Sequence, residues 1–171
     1  SVPNVILRNN SSLLLTLANL AVSGSSSTLG IVLGNTSENI INIDGSGGIL
    51  ISSIISGSSK DLTKAGAGAG VLTLTNVNTY TGTTKVNTGE LRLNPSGNNT
   101  LSGAFTFNGG TLATTGITAS RAVTYASINL ADNSTLALAS GTAHTLTFTS
   151  LGTFTSGKTL TVTGWTGASY A

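Results

Sequence analysis

The stretch Ile55-Ser-Gly-Ser-Ser-Lys-Asp-Leu-Thr-Lys64, Ala65-Gly-Ala-Gly-Ala-Gly-Val-Leu-Thr-Leu74, Thr75-Asn-Val-Asn-Thr-Tyr-Thr-Gly-Thr-Thr84, Lys85-Val-Asn-Thr-Gly-Glu-Leu-Arg-Leu93 alternates two kinds of text. Leu72 and Leu74, then Leu91 and Leu93, stand two apart with a polar residue between them, which is the period of a strand with one buried face. Gly66 to Gly70 and the run from Asn76 to Gly82 separate these strands and supply small or turn-forming residues suited to corners. The phrase of strand, corner and strand then starts again.

The same phrase extends in both directions. Alternating runs occur at Leu13, Leu15 and Leu17; Leu29, Ile31 and Leu33; Ile49 and Ile51; Phe105 and Phe107; Leu136 and Leu138; Leu146 and Phe148; Leu160 and Val162. Ser23 to Ser27, Asp44 to Gly48, Ser96 to Asn99 and Asn108 to Gly110 punctuate them. No window places apolar residues at helical spacing with capping signals, so an all-β chain with essentially no α-helix is expected. Turns alone do not separate a sandwich from a solenoid. The return of the phrase every 18 to 25 residues or so does, because stacked rungs share one apolar column. At roughly 20 residues per rung, residues 1–171 are expected to form a single β-helix of roughly eight or nine rungs, a rod on the order of 40 Å long.

Composition agrees and excludes other classes. Charged residues are only 7% of the chain, against about 25% in ordinary soluble proteins, and Ser, Thr, Asn and Gly take their place. The seven basic residues are dispersed, which predicts no nucleic-acid partner. Cys is absent, excluding disulfides and thiolate metal sites. The longest apolar stretch, Leu13 to Val22, is broken by Thr16 and Asn19, so no membrane insertion of this segment is expected. Met is absent too, which implies that Ser1 follows a processing event or lies inside a larger chain.

Residues 55–93 resemble the autotransporter passenger-associated strand repeat, whose pattern runs Leu-Thr-Lys, a Gly-rich corner, Leu-Thr-Leu, Asn-Thr-Tyr-Thr-Gly, Thr, Val, Gly and Leu-x-Leu. The extra Gly-Ala unit within Ala65 to Gly70 departs from it and reads as a widened corner. The resemblance implies a right-handed parallel β-helix, exported and displayed outside a Gram-negative bacterium. On this pattern Leu62, Leu72, Leu74, Val86, Leu91 and Leu93 form the structural core, while Thr63, Thr73, Thr75 and Thr84 face outward. Gly82 and Gly89 take corner conformations, Asn76 and Asn78 form ladders between rungs, and Tyr80 covers a corner.

Groups able to do chemistry are sparse. Sugar hydrolysis needs two carboxylates about 5 to 10 Å apart, and no two of Glu38, Asp44, Asp61, Glu90 and Asp132 share a strand or a motif. His144 has no partner His or Cys. The Asp44 to Gly48 turn lacks the repeated Asp of calcium-binding nonapeptides, and the glycines of 66–70 are not followed by Lys-Ser/Thr, which disfavours a phosphate loop. No catalytic residue, metal or cofactor is expected. Tyr125, Trp165 and Tyr170 are candidates for stacking on glycans, and the Thr-x-Thr runs at 145–149, 153–155 and 159–163 give an ice-binding array as a remote alternative.

The expected function is therefore structural or adhesive, that of a stalk, adhesin or extracellular filament subunit, with a carbohydrate-binding or polysaccharide-cleaving β-helix as the alternative. A β-helix exposes unpaired backbone at each end. Self-association end to end, or continuation in a longer chain, is the expected partnership, with a glycan or cell-surface ligand for the walls.

Overall fold

The computed structural model describes residues 4–17, 30–34 and 38–165, and among them no residue is helical. The chain winds level by level. The first level holds β1 (Asn4–Asn9), β2 (Leu15–Leu17) and β3 (Ile31–Val32); the second holds β4 (Glu38–Ile43), β5 (Ile49–Ile51) and β6 (Ile55–Ser56). Then come β7 (Asp61–Ala65) with β8 (Val71–Leu74), β9 (Thr84–Val86) with β10 (Glu90–Leu93), and β11 (Asn99–Asn108) with β12 (Thr111–Ala113). The last levels are β13 (Ala122–Asp132) with β14 (Ser134–Ala137), and β15 (Thr145–Phe148), β16 (Leu151–Phe154) and β17 (Leu160–Thr163).

Every strand pair is parallel, and each strand pairs with its counterpart one turn away. This is a parallel β-solenoid with three walls. The first wall runs β1-β4-β7-β9-β11-β13 and ends on β16; the second runs β2-β5-β8-β10-β12-β14-β17. The third starts as the β3–β6 pair and passes through Thr79 and Thr81, whose N–H groups donate to Ile55 O and Gly57 O. It then continues along the first halves of β11 and β13 to β15.

Registry turns the period-two pattern into columns. On the second wall Leu15, Ile49, Leu72, Leu91, Leu112, Leu136 and Val162 lie in register, one per level. On the first wall the column is Leu7, Ile41, Lys64, Val86, Phe107, Leu130 and Phe154. Each fully buried aliphatic or aromatic side chain contributes about 1.5–3 kcal/mol, and the shared column lets one level's burial depend on its neighbours. Toward the later levels the core becomes aromatic: Phe105 lies 4.7 Å from Phe107 and 5.1 Å from Tyr125, ring centre to ring centre.

The second wall has seven strands and therefore six complete turns, not the eight or nine rungs expected from the sequence. Turn length explains the difference. Leu72 to Leu91 takes 19 residues and Leu136 to Val162 takes 26, while Leu15 to Ile49 takes 34. Seven levels at about 4.8 Å make a rod nearer 30 Å than 40 Å.

The corners explain the glycines. A Cβ on Gly66 would lie 2.3 Å from Ile43 O and one on Gly68 2.3 Å from Gly45 O, so the widened corner of 65–70 lies backbone against backbone on the turn of 44–48. Gly89 adopts φ +66°, in the left-handed region that favours glycine. Gly82 does not; a Cβ there would meet Lys60 C and O at 2.3 Å, so it is required by close approach instead.

Candidate functional site: walls and end levels

Leu62, Leu72, Leu74, Val86, Leu91 and Leu93 all lie in the buried core. Two neighbours in the same stretch depart from the outward and corner positions expected of them. Thr84 points inward, in register between Leu62 and Phe105, because its hydroxyl meets the Tyr80 hydroxyl at 2.7 Å. Tyr80 is itself buried within the core rather than laid over a corner, and that burial pushes its phenol up to about 12. Thr63 is outward but covered, its Oγ1 donating to Glu38 Oε1 at 2.6 Å.

Lys64 is the residue that sequence reasoning missed. It has no exposed surface, lies in the first-wall column between Ile41 and Val86, and donates from Nζ to Ala65 O (2.9 Å) and Thr88 O (3.2 Å). Desolvation lowers its pKa from 10.5 to about 8, against a smaller opposing pull from Asp44. The signal was in the spacing: Leu62 and Lys64 are two apart, so an inward Leu62 requires an inward Lys64.

Asparagines stitch the third wall. Asn78 Oδ1 accepts from Ile55 N at 2.9 Å, Asn99 Oδ1 accepts from Asn78 N at 2.9 Å, and Asn99 Nδ2 returns to Asn78 O at 3.0 Å. Asn76 reaches the preceding level through Ser52 O at 2.9 Å. Each bond satisfies a backbone group at a place where the strand ladder is interrupted.

The outer walls hold the acids singly. Asp44 pairs with Arg8 (2.6 Å), Glu38 with Lys85 (3.4 Å), Glu90 with Arg92 (2.7 Å) and Asp132 with Lys158 (2.7 Å). Asp61 accepts from Thr83 N at 2.7 Å. The hydrogen bond from Arg8 holds the Asp44 carboxyl below the usual carboxylate range, and Lys158 does the same for Asp132. Registry does place Glu38 beside Asp61 on adjacent levels, although no motif links them in sequence. Among the described residues no group of three or more His, Asp or Glu could hold a metal ion. His144 is pinned by Thr114 Oγ1 at Nε2 and by Thr142 O at Nδ1, both at 2.8 Å. Since Thr142 O can only accept, Nδ1 carries a proton, and in the neutral ring Nε2 then accepts from the Thr114 hydroxyl.

A comparison with family models finds that residues 62–93 and 88–113 match the passenger-associated-transport-repeat. Residues 62–113 are similar to two successive passenger-associated-transport-repeats. The first match runs from β7 through β10 and the second from β10 through β12, so the repeat is laid out as successive turns of the solenoid. It marks a secreted or surface-exposed bacterial protein. Neither curated proteins nor solved structures gave a match. The Leu-Thr-Lys opening, the glycine corner, Asn78, Tyr80 and Gly82 of the passenger-associated-transport-repeat are accordingly the core lysine, the stacked corner, the asparagine stitch, the buried phenol and the close backbone approach described above.

The glycan candidates separate. Tyr125 is fully buried against Phe105 and Phe148 and offers no face to a sugar; its hydroxyl lies near those of Tyr80 and Thr84 but meets no partner in good hydrogen-bond geometry among the described residues. Trp165 is exposed and lines a hollow of about 580 Å³ at the last level with Leu136, Phe148 and Val162. Tyr170 lies outside the described residues. The three Thr-x-Thr runs do not make one array, since β15, β16 and β17 lie on different walls. At this level the core columns reach the surface: Leu151 is 80% exposed, beside Phe154 and Val162. At the first level a hollow of about 210 Å³ is lined by Leu7, Leu17 and Ile31.

Proposed function

We propose that the chain is a stiff, non-catalytic segment of an autotransporter passenger or a comparable surface protein of a Gram-negative bacterium, adhering through its walls and joined to further rungs at its ends. The observation that carries this is the coincidence of the repeat at 62–113 with uninterrupted parallel turns, in which the residues of the repeat serve stacking rather than a reactive cluster. The exposed columns at Leu151, Phe154 and Val162 support joining, because an apolar column in register with Ile128, Leu130 and Leu136 suits one more parallel level. That level comes from the same polypeptide in a stalk and from another copy in a filament.

Electron microscopy of the purified chain at increasing concentration tests this reading. Fibres of uniform width support the filament, isolated rods about 30 Å long restrict the chain to a stalk segment, and irregular globular particles sink both. A polysaccharide-cleaving alternative has one observation in its favour, the registry of Glu38 with Asp61. Release of reducing ends from an acidic or neutral polysaccharide, abolished by Glu38→Gln and by Asp61→Asn, would establish it.

A further inference from the structure

We propose that the hollow of about 360 Å³ formed by Asn98, Ser120, Arg121, His144 and Thr145 binds the anionic residue of a glycan. The inference rests on the adhesive reading of the walls and names the chemistry that one wall recognises.

Charge accounting points to this place. Four of the seven basic side chains are ion-paired and Lys64 is buried in the core, which leaves Lys60 and Arg121 with no carboxylate partner among the described residues. Of the two, Arg121 lines a hollow of ligand size, for which about 300–1,000 Å³ is usual. Its guanidinium is held by protein on one side: Nε donates to Pro95 O at 3.4 Å and Nη1 to Ser120 O at 3.0 Å, while Nη2 has no partner among the described residues. A fork oriented by two carbonyls has already given up much of the rotamer freedom that a ligand would otherwise have to freeze.

The remaining polar groups are of the same sign. Asn98 Oδ1 accepts from Ala122 N at 2.9 Å, so the free end of that amide is its Nδ2 donor. The Ser120 and Thr145 hydroxyls make no hydrogen bond within the described protein, and no carboxylate lines the hollow. Both ring nitrogens of His144 are engaged, so it contributes the ring itself, beside the methyls of Ala122 and Ala143. One fixed cation, an amide donor and two hydroxyls around a small apolar patch suit a polyhydroxylated ring carrying a carboxylate or a sulfate. The hollow has no large apolar slot to anchor the side chains of an acidic peptide.

The test is an NMR titration of the ¹⁵N-labelled chain, following the amides of Ala122 and Thr145, with digalacturonate, a heparin disaccharide, cellobiose and tetraglutamate as probes. Digalacturonate or the heparin disaccharide should shift these amides in a saturable way; binding of digalacturonate identifies carboxylate as a sufficient anion, and binding of the heparin disaccharide alone, which carries a carboxylate too, identifies sulfate as the anion required. Arg121→Gln should weaken that binding by about ten- to a hundredfold, the scale of one charge-assisted hydrogen bond. Lys60→Gln should leave it unchanged. Equal binding by cellobiose, an equal loss in Lys60→Gln, or the absence of shifts with both anionic sugars would overturn the proposal, and tighter binding of tetraglutamate would replace the glycan with an acidic peptide. A chain that forms rods but shows no shifts loses this site and keeps its structural role.

Discussion

Replacing Lys64 with Met removes a buried amine from the first-wall column while keeping an unbranched, flexible side chain of similar reach. In the folded chain the amine gives up its proton near pH 8, and in the unfolded chain near the ordinary 10.5. Between those values the unfolded state binds more protons, so stability rises with pH across the window from about 8 to 10 and is lost again as pH falls through 8. At about 1.4 kcal/mol per unit of pKa the full effect is at most about 3.5 kcal/mol. The amine lies under a thin glycine corner and keeps two carbonyl partners, so about 2–3 kcal/mol is expected. Urea unfolding of both chains at pH 7, 8, 9 and 9.5 reads the difference. Ionisation of tyrosine in the unfolded chain, which opposes the trend because Tyr80 and Tyr125 are raised by burial, has its midpoint near pH 10 and is only about a quarter complete at pH 9.5, the top of this range. The wild-type midpoint should climb with pH while that of Lys64→Met stays nearly flat. Parallel slopes for the two chains would refute the placement of a protonatable amine in the core.

Other perturbations read other parts of the solenoid. Gly66→Ala forces a Cβ into Ile43 O at a φ of +100°, and should lower stability by more than about 1 kcal/mol in the same unfolding assay. Asn78→Ala strips the acceptor from the buried Ile55 N and should cost about 1–3 kcal/mol, with faster hydrogen exchange at Ile55 as the local sign. Acidification protonates Asp44 and Asp132, whose pairings with Arg8 and Lys158 hold their pKa values down. The support these pairs give is present at neutral pH and is lost as pH falls through the lowered values beneath 3.8, so amide exchange at the first and last levels should accelerate there before the middle levels open.

Much of the solenoid was legible because its columns are written in period two: Leu72 with Leu74 and Leu91 with Leu93 could face inward only together, and the glycines between them could only be corners. The number of turns was not legible, because turn length is a property of registry. The 34-residue step from Leu15 to Ile49 looks in sequence like more than one rung of ordinary size. Thr84 and Tyr80 were misplaced for a related reason. Each is polar enough to suggest the outside, and only their mutual hydrogen bond makes the inside affordable. Tyr125 carries an aromatic ring that suits either sugar or core, and the neighbouring Phe105 and Phe148 decide for the core. The hollow around Arg121 was invisible in sequence, since Asn98, Arg121 and His144 belong to successive levels and meet only through the winding of the chain.

The claim beneath all of these is that the repeat stacks in parallel register, Leu72 on Leu91 and Leu91 on Leu112. Methyl NOE spectroscopy on a leucine-labelled chain tests it directly. Adjacent levels lie about 4.8 Å apart and alternate levels about 9.6 Å apart, so strong cross-peaks are predicted between Leu72 and Leu91 and between Leu91 and Leu112, with the Leu72 to Leu112 cross-peak weak or absent. Cross-peaks that instead connect Leu72 with residues on the opposite side of a hairpin turn, and none to Leu91, would contradict the solenoid.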